Sequence, residues 1–261
     1  MSEGMVIASA LLVREGFVHG FATRIGGVSP APFDTLDFGV QDEPANVVEN
    51  VRRLGAAVGF DPAMLYQASQ VHGARVLVAG GDPHAMRTEE ADALVAFASA
   101  ERALTVGVRV ADCTPVLVAD RETGAVAAIH AGWRGVVAHI VGAGVNAMRA
   151  PHASVASRLV AAIGPSIGAC CFEVGHDVAA SIADACGDAS VVVRGGHESQ
   201  KPHVDMRRAV RAQLRALGLD DARIEDVPGC TKCDAARFFS YRRDGVRSGR
   251  HIAVIAARAR G

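Results

Sequence analysis

Three short segments combine metal-binding side chains with glycine-containing or proline-containing turns. They are residues 70–73 (QVHG), 111–115 (ADCTP) and 130–135 (HAGWRG), which contribute His72, Cys113 and His130. Two imidazoles and one thiolate form a donor set that suits Zn²⁺, and three protein donors leave one tetrahedral position for water or substrate. Zinc held in this way lowers the pKa of its bound water to about 7. The pattern therefore indicates a catalytic metal site.

The same residues permit other interpretations. Asp112 precedes the proposed thiolate ligand, and its carboxylate could orient a ligand histidine or relay a proton. Cys113 could instead be a nucleophile with His130 as its base, which requires the same proximity and no metal. In a third interpretation Cys113 is a small buried apolar residue and His130 a turn residue. The spacing alone does not separate these alternatives.

The elements around these segments alternate between apolar runs and stretches of helical period, which is typical of α/β proteins. Strands are predicted over residues 93–97, 104–110, 115–120, 125–130, 159–163, 191–193 and 252–257. Helices are predicted over residues 47–58, 135–149, 177–185 and 206–217. Asn46, with Glu49 three residues later, resembles a capping box, and Asp205 is a suitable cap for the last helix. Because several strands are apolar on both faces, the predicted fold is α/β (α+β), with a mixed β-sheet core flanked by helices.

A predicted hairpin links two of the candidate ligands. Residues 115–120 and 125–130 are separated by four residues that include Gly124, which is typical of an antiparallel pair. Cys113 falls just before the first strand, and His130 ends the second. Antiparallel pairing brings the start of one strand beside the end of the other, so the two side chains can be neighbours. His72 comes from a separate segment, and its distance is not given by the spacing.

Size and composition limit the class of protein. The chain has 261 residues, of which 50% are hydrophobic and 21% charged, so we expect a single catalytic domain over residues 1–261. A formal net charge of −1 argues against a nucleic-acid partner, because binding to phosphate backbones requires clustered cations. The apolar stretch at residues 6–13 lacks the basic flank of a signal peptide, and no apolar run reaches about 20 residues. We therefore expect a cytoplasmic protein that does not contact membranes, either a monomer or a homodimer.

Six cysteines in a chain of this size do not form a dense disulfide framework, so reduced thiols are expected. Cys230 and Cys233 have the spacing of a redox motif or of half a zinc site. The sequence offers no second pair of this kind, so a structural or incidental role is predicted. For the vicinal Cys170 and Cys171 we predict core packing.

Three arginines are candidates for binding phosphate or another substrate anion. Arg24 lies in a glycine-rich loop, and Arg134 follows Trp133 at a turn that opens a helix. Arg242 is the third candidate. The guanidinium fork and the amides of helix N-termini favour oxyanions, although surface arginines without a ligand are common.

The chain resembles a bacterial family once called multicopper polyphenol oxidases or laccase-domain proteins, also named peptidoglycan editing factors. The matching blocks are residues 19–29, 70–73, 91–95, 111–113, 130–135, 163–168 and 239–245. The resemblance implies a mixed α/β fold akin to toxin-type cysteine hydrolases, with zinc bound at the positions of His72, Cys113 and His130. It also implies phosphorolysis of adenosine, inosine and S-methyl-5′-thioadenosine, together with adenosine deamination. One departure from the family pattern is Asp37, where the family usually carries Asn.

The older laccase name does not fit this sequence. A multicopper oxidase builds its trinuclear cluster largely from His-X-His pairs, and the ten histidines here include none. Copper could still occupy a His-Cys-His site, because Cu²⁺ binds such donors more tightly than Zn²⁺. Two functions compete with the purine enzyme: a Cys/His hydrolase that edits peptidoglycan precursors, and a non-catalytic interaction protein stabilised by zinc.

Overall fold

The computed structural model describes residues 4–97, 103–152, 155–194 and 201–258. The strands within this part are β1 (Val6–Ile7), β2 (His19–Ala22), β3 (Leu65–Tyr66), β4 (Val76–Val78), β5 (Ala93–Ala96), β6 (Thr105–Val110), β7 (Thr114–Asp120), β8 (Val126–Ala131), β9 (Leu159–Ile163), β10 (Val192–Arg194), β11 (His203–Val204), β12 (Ile224–Asp226) and β13 (His251–Ala256).

The α-helices of the same residues are α1 (Ala10–Arg14), α2 (Pro44–Val58), α3 (Pro83–Met86), α4 (Trp133–Val137), α5 (Ile140–Arg149), α6 (His176–Cys186), α7 (Met206–Ala216) and α8 (Tyr241–Asp244). Short 3₁₀ segments lie at Pro62–Met64, Ala150–His152, Ala156–Arg158, Ala189–Val191, Asp221–Arg223 and Gly245–Arg247. Within the described part of the chain, none of the helices combines the length and the apolar character that crossing a membrane requires.

The described strands form two large mixed sheets and a small antiparallel pair. One sheet has the order β1-β2-β13-β6-β3, and the other has the order β12-β9-β7-β8-β5-β4. The pair consists of β10 and β11. In the second sheet β7 pairs antiparallel with both β8 and β9, while β12 pairs parallel with β9. This arrangement places the β7–β8 hairpin at the centre of its sheet.

Alternation along β7 shows how the layers are built. Leu117 and Ala119 face the apolar cluster between the two sheets, where Phe21 and Ile255 belong to the other sheet. Val116 and Val118 point the opposite way, into the cluster that the helices α4 to α7 cover. Successive strand residues face opposite sides, and both sides are covered, so every residue of β7 is buried and residues 115–119 are all apolar.

Most of the predicted elements are present within one to three residues of their predicted ends, and the predicted mixed α/β fold is confirmed. Asp205 caps α7 as predicted, because its side chain accepts a hydrogen bond from the backbone N–H of Arg208. The capping box at Asn46 is wrong. The helix α2 begins at Pro44, which needs no N–H partner at a helix start, and Glu43 occupies the cap position without a side-chain bond.

The prediction of one continuous helix over residues 135–149 is wrong, because the structure has two helices there. The segment is broken into α4 and α5 at His139, which adopts the left-handed conformation with φ of 59°. A non-glycine residue in that conformation ends the i to i−4 hydrogen-bond ladder. The short strands β1 to β4, β11 and β12 and the short helices α1, α3 and α8 were not predicted, because so few residues carry little periodicity.

Candidate functional site

The structure brings His72, Cys113 and His130 together. One possible ligand atom of each residue lies within 4.8 Å of the corresponding atoms of the other two. Cys113 Sγ is 3.9 Å from His72 Nε2, and the two imidazole rings meet edge to face with their centroids 4.9 Å apart. We call these residues the triad. Two imidazoles and one thiol at this separation are chemically suited to hold a single Zn²⁺ ion.

The β7–β8 hairpin positions two members of the triad, Cys113 and His130. Pro115 pairs with His130 in the antiparallel register, so Cys113, which directly precedes β7, lies beside the end of β8. Gly132 follows β8 and leaves space for the donors. A Cβ atom there would lie 2.9 Å from His72 Cδ2 and 3.2 Å from Cys113 Sγ. A side chain at this position would therefore crowd the triad.

Asp92, at the entrance to β5, orients both histidines. Its carboxylate accepts a hydrogen bond from His130 Nδ1 at 2.8 Å and bonds from the backbone N–H groups of His72 and Gly73 at 2.9 and 2.7 Å. These backbone bonds hold His72 at φ of 62°, in the left-handed region that residues other than glycine rarely adopt. Asp92 is fully buried. Donation from Nδ1 leaves the Nε2 lone pair of His130 available to a metal.

The charges of the triad depend on one another. Burial opposes ionisation of the Cys113 thiol, but the charge of His130 and hydrogen bonds to both histidines outweigh it and lower the pKa of Cys113 to about 6. Burial also opposes protonation of His130. Its contacts with Cys113 and Asp92 outweigh that effect and raise the pKa of His130 to about 9. A thiolate and an imidazolium therefore face each other at neutral pH in the metal-free protein.

Asp112 has partners outside the triad. Its carboxylate accepts a hydrogen bond from the Thr231 hydroxyl and another from the backbone N–H of Arg242, both at 2.6 Å. The backbone of Asp112 is left-handed, with φ of 83°, and its carbonyl accepts a bond from the N–H of Ile167. Asp112 thus joins the Cys113 turn to two other loops, whereas the carboxylate that contacts a triad histidine belongs to Asp92.

The triad lies on the wall of a cavity of about 640 Å³. This volume is within the range of sites that bind small molecules. Phe33, Phe172 and Tyr241 contribute aromatic rings to the cavity lining, and polar and aliphatic side chains form the remainder. The combination provides flat apolar surfaces beside hydrogen-bonding groups, which a ligand with a ring and several hydroxyls requires.

Four arginines also line this cavity: Arg109, Arg134, Arg242 and Arg250. The Arg134 guanidinium lies 4.5 Å from the centroid of the Trp133 ring. Arg242 donates from Nη1 to the carbonyl of Glu173 at 2.9 Å.

Arg24, the third arginine that the sequence suggested for anion binding, has other partners. It forms an ion pair with Asp34 at 3.0 Å and lies over the Phe239 ring. Arg109 and Arg250 were missed because neither occurs in a recognisable motif.

Asp37 contributes a carboxylate to the same cavity. It is fully buried, and its Oδ1 accepts a hydrogen bond from the backbone N–H of Arg250. Among the described protein groups, its Oδ2 has no hydrogen-bond partner. Burial raises the pKa of Asp37 above its ordinary value. A buried carboxylate with one oxygen that no described protein group meets is expensive to keep.

Sequence similarity to several other proteins extends over most of this chain. Purine nucleoside phosphorylase ORF3 of Streptomyces griseus is 41% identical over 243 residues, which are 92% of this chain and 95% of that protein. Adenosine deaminase RL5 of an unknown prokaryotic organism is 36% identical over 220 residues, covering 83% of this chain and 84% of that protein. Purine nucleoside phosphorylase LACC1 of Mus musculus is 32% identical over 97% of this chain, which spans only 59% of the mouse protein.

A solved structure and a family comparison agree with these relatives. The crystal structure of YlmD from Geobacillus stearothermophilus matches with a TM-score of 0.82 at 30% identity, covering 96% of this chain and 94% of that one. Residues 18–258 match the family described as multi-copper polyphenol oxidoreductase laccase, which confirms the resemblance carried by the sequence motifs. The chain therefore belongs to the multi-copper polyphenol oxidoreductase laccase family.

Proposed function

We propose that this protein is a cytoplasmic, zinc-dependent purine nucleoside phosphorylase that accepts adenosine, inosine and S-methyl-5′-thioadenosine and also deaminates adenosine. The observation that carries the proposal is the convergence of His72, Cys113 and His130 on the wall of a large cavity lined by arginines and aromatic rings. Relatives named as a purine nucleoside phosphorylase and an adenosine deaminase support it. Purine nucleoside and phosphate are thus the proposed ligands.

His72, Cys113 and His130 would hold the zinc ion, because imidazole and thiolate are the donors that Zn²⁺ prefers. When bound, zinc supplies Lewis acidity at the cavity wall. Cu²⁺ is an alternative occupant, since it binds such donors more tightly than Zn²⁺ does. The availability of each metal therefore decides which one the isolated protein contains.

Asp92 acts on this site through the histidines. By accepting a hydrogen bond from His130 Nδ1 it fixes the ring orientation and the tautomer, and by accepting bonds from the backbone N–H groups of residues 72 and 73 it fixes the position of His72. Hydrogen bonds from His130 and from that backbone also outweigh the effect of burial and lower the pKa of Asp92. The carboxylate therefore stays charged at neutral pH and keeps both rings in place.

The remaining cavity residues suit the two substrates. Phe33, Phe172 and Tyr241 offer ring faces against which a purine can stack. Arg134 and Arg242 offer guanidinium groups, whose planar donors match the oxygens of phosphate. Phosphorolysis requires a phosphate oxygen to form a bond to ribose C1′ while the bond from C1′ to the base nitrogen breaks. Binding both substrates in one cavity aligns these atoms.

The proposal is tested by incubating zinc-loaded protein with adenosine and inorganic phosphate and separating the products by chromatography. We expect adenine and ribose 1-phosphate, together with inosine from deamination and hypoxanthine from phosphorolysis of that inosine. Omission of phosphate should abolish adenine formation and leave inosine formation. His130→Ala should remove both activities, whereas the matched variant His84→Ala, at an exposed histidine on α3, should keep them. If zinc-loaded protein released neither base nor inosine, the proposal would be wrong.

A second candidate is a Cys/His hydrolase that edits peptidoglycan precursors. It is favoured by the contact between Cys113 and the two imidazoles and by the lowered pKa of the thiol, which are the properties of an activated nucleophile. Hydrolysis that survives exhaustive chelation but is lost in Cys113→Ala would support this candidate. A chelated protein that unfolds and never turns over nucleosides would instead support a non-catalytic, zinc-stabilised interaction protein.

A further inference from the structure

A second group of potential metal ligands lies outside the triad. Cys170, Cys171, Cys230 and Cys233, here called the four-cysteine cluster, place their sulfur atoms within 4.8 Å of one another. The sulfur of Cys233 is 3.6 Å from that of Cys170 and 3.3 Å from that of Cys171, and Cys170 is 3.6 Å from Cys230. We propose that this cluster binds one structural Zn²⁺ ion through four thiolates.

The sulfur separations fit a single tetrahedral ion. Zinc binds thiolate sulfur at about 2.3 Å, so the edge of a tetrahedral four-thiolate site is about 3.8 Å. Three of the six separations, at 3.3 to 3.6 Å, lie close to that edge, and all six are within 4.8 Å. Four sulfur donors complete the coordination of zinc without any other ligand, which is the property of a structural site rather than a catalytic one.

Two loops far apart in sequence form the cluster. The loop after β9 carries Cys170 and Cys171, and the loop after β12 carries Cys230 and Cys233. A parallel bridge joins Ser166 to Cys230, and the backbone N–H of Thr231 donates to the carbonyl of Ser166. This backbone pairing fixes the distance between the loops. The side chains therefore meet because the main chain is already aligned, as a binding site requires.

Gly168 supports the cluster in two ways. Its backbone N–H donates to Cys230 Sγ at 3.2 Å, and hydrogen bonds of this kind stabilise the negative charge on a ligating sulfur. A Cβ atom at Gly168 would lie 3.2 Å from Cys170 Sγ and 3.4 Å from Cys230 Sγ. The absence of a side chain at this position thus lets the backbone approach the sulfur atoms closely.

The four-cysteine cluster is connected to the cavity through its loops. Arg243 donates from Nη1 to the carbonyls of Thr231 and Lys232, and Arg242 donates to the carbonyl of Glu173. The Thr231 hydroxyl donates to Asp112, next to Cys113 in the triad. A zinc ion in the cluster would join both loops and so hold the part of the cavity wall that carries Arg242.

Elemental analysis of the purified full chain tests the proposal without any nucleoside. Wild-type protein expressed in medium that contains zinc should hold about two zinc ions per chain, one in the triad and one in the four-cysteine cluster. Cys230→Ser/Cys233→Ser should contain about one, and the matched variant Cys186→Ser, at a cysteine on α6 outside both clusters, should keep two. Unchanged zinc in the double variant would overturn the proposal, as would iron in place of zinc.

A second measurement uses only the wild-type chain, so it does not depend on whether a variant folds. Cys170 and Cys233 are exposed, so an alkylating reagent can reach both sulfur atoms. If zinc is bound, alkylation of the four cysteines should be slow and should become faster when a chelator is added. Rapid alkylation without chelator, or a disulfide between any two of the four found by peptide mapping without reduction, would contradict the proposal.

Discussion

In the described part of the chain, the triad and the four-cysteine cluster are both groups of metal-binding side chains, and they differ in what surrounds them. The triad has three donors on the wall of a large cavity, with the buried carboxylate of Asp92 behind its histidines. The four-cysteine cluster has four donors on two loops, and backbone pairing and an N–H to sulfur bond support it. Donor number and surroundings therefore indicate different tasks.

The number of metal donors distinguishes a catalytic site from a structural one. Three donors beside a cavity leave room for a substrate at the metal, whereas four thiolates satisfy the ion completely. Among the described non-glycine residues, His72 and Asp112 have left-handed backbone, and both lie at the triad. Strain of this kind is retained where surrounding contacts hold it, and it is common at functional sites. We therefore expect changes at the triad to affect turnover and changes at the four-cysteine cluster to affect stability.

The largest effect should follow from removing a triad donor. Cys113→Ala should lower phosphorolysis of adenosine by more than about 100-fold, because loss of a group that only orients a ligand already costs about 10–100-fold. Initial rates with saturating phosphate, measured by release of adenine, give the comparison. The free energy of unfolding should fall by less than it does in Cys230→Ser/Cys233→Ser, and retention of wild-type turnover would show that the triad is not the catalytic centre.

The next effect should appear in stability rather than turnover. Cys230→Ser/Cys233→Ser should lower the free energy of unfolding by about 3 kcal/mol, because binding of a structural metal contributes directly to folding. Denaturant unfolding with and without a chelator measures it. Chelation should destabilise the wild-type chain by more than it destabilises the double variant, which keeps only the zinc ion of the triad. If chelation lowered the free energy of unfolding equally in the two proteins, the four-cysteine cluster would not be a structural zinc site distinct from the triad.

A smaller effect is expected for the carboxylate behind the triad. Asp92→Asn keeps the size of the side chain but removes its charge, so its bond to His130 weakens and the preferred tautomer is lost. We expect turnover or zinc affinity at the triad to fall by about 30-fold. Zinc titration monitored by activity measures both quantities. If Asp92→Asn instead released zinc from the four-cysteine cluster, the two sites would not be independent.

The substrate side of the cavity can be tested at Arg134. Arg134→Ala should raise KM for phosphate by about 10-fold, because one charge-assisted contact contributes about 1.5 kcal/mol. KM for adenosine should change much less. The comparison variant is Arg24→Ala, since Arg24 pairs with Asp34. If Arg24→Ala raised KM for phosphate more than Arg134→Ala does, the phosphate site would lie at the loop that carries Arg24.

The smallest effect concerns the buried carboxylate of Asp37. Burial raises the pKa of Asp37, so stability from this group is fully present below its unfolded pKa of about 3.9 and is lost as the pH rises through the folded pKa. Asp37→Asn should therefore stabilise the fold at pH 7 by about 1 kcal/mol. The gain should shrink as the pH falls towards 4. A constant gain at all pH values would exclude a titrating Asp37 as its cause.

Much of the central architecture could be predicted because its sequence pattern is local. Apolar runs of five to seven residues, bounded by turn residues, identified β7, β8 and β9 within one residue of their observed ends. The hairpin also indicated that Cys113 and His130 are close. By contrast, the break at His139 depends on a single residue in the left-handed conformation, which periodicity does not reveal.

Long-range contacts explain what the sequence did not reveal about the two clusters. Asp92 stands alone before an apolar strand, and only the pairing of β5 with β8 brings it beside His130. Core packing was wrong for Cys170, which is exposed, and Cys171 is only partly buried. Some 60 residues separate that pair from Cys230, and the parallel bridge at Ser166 unites them. Spacing within each loop carries no information about the other loop.

The most direct test is phosphate-dependent release of adenine from adenosine by zinc-loaded wild-type protein, Cys113→Ala and Cys230→Ser/Cys233→Ser, assayed side by side at a temperature where all three are folded. We expect turnover by the wild type and by the double variant, and none above background by Cys113→Ala. Wild-type turnover by Cys113→Ala, or no turnover by zinc-loaded wild-type protein, would contradict the assignment of chemistry to the triad.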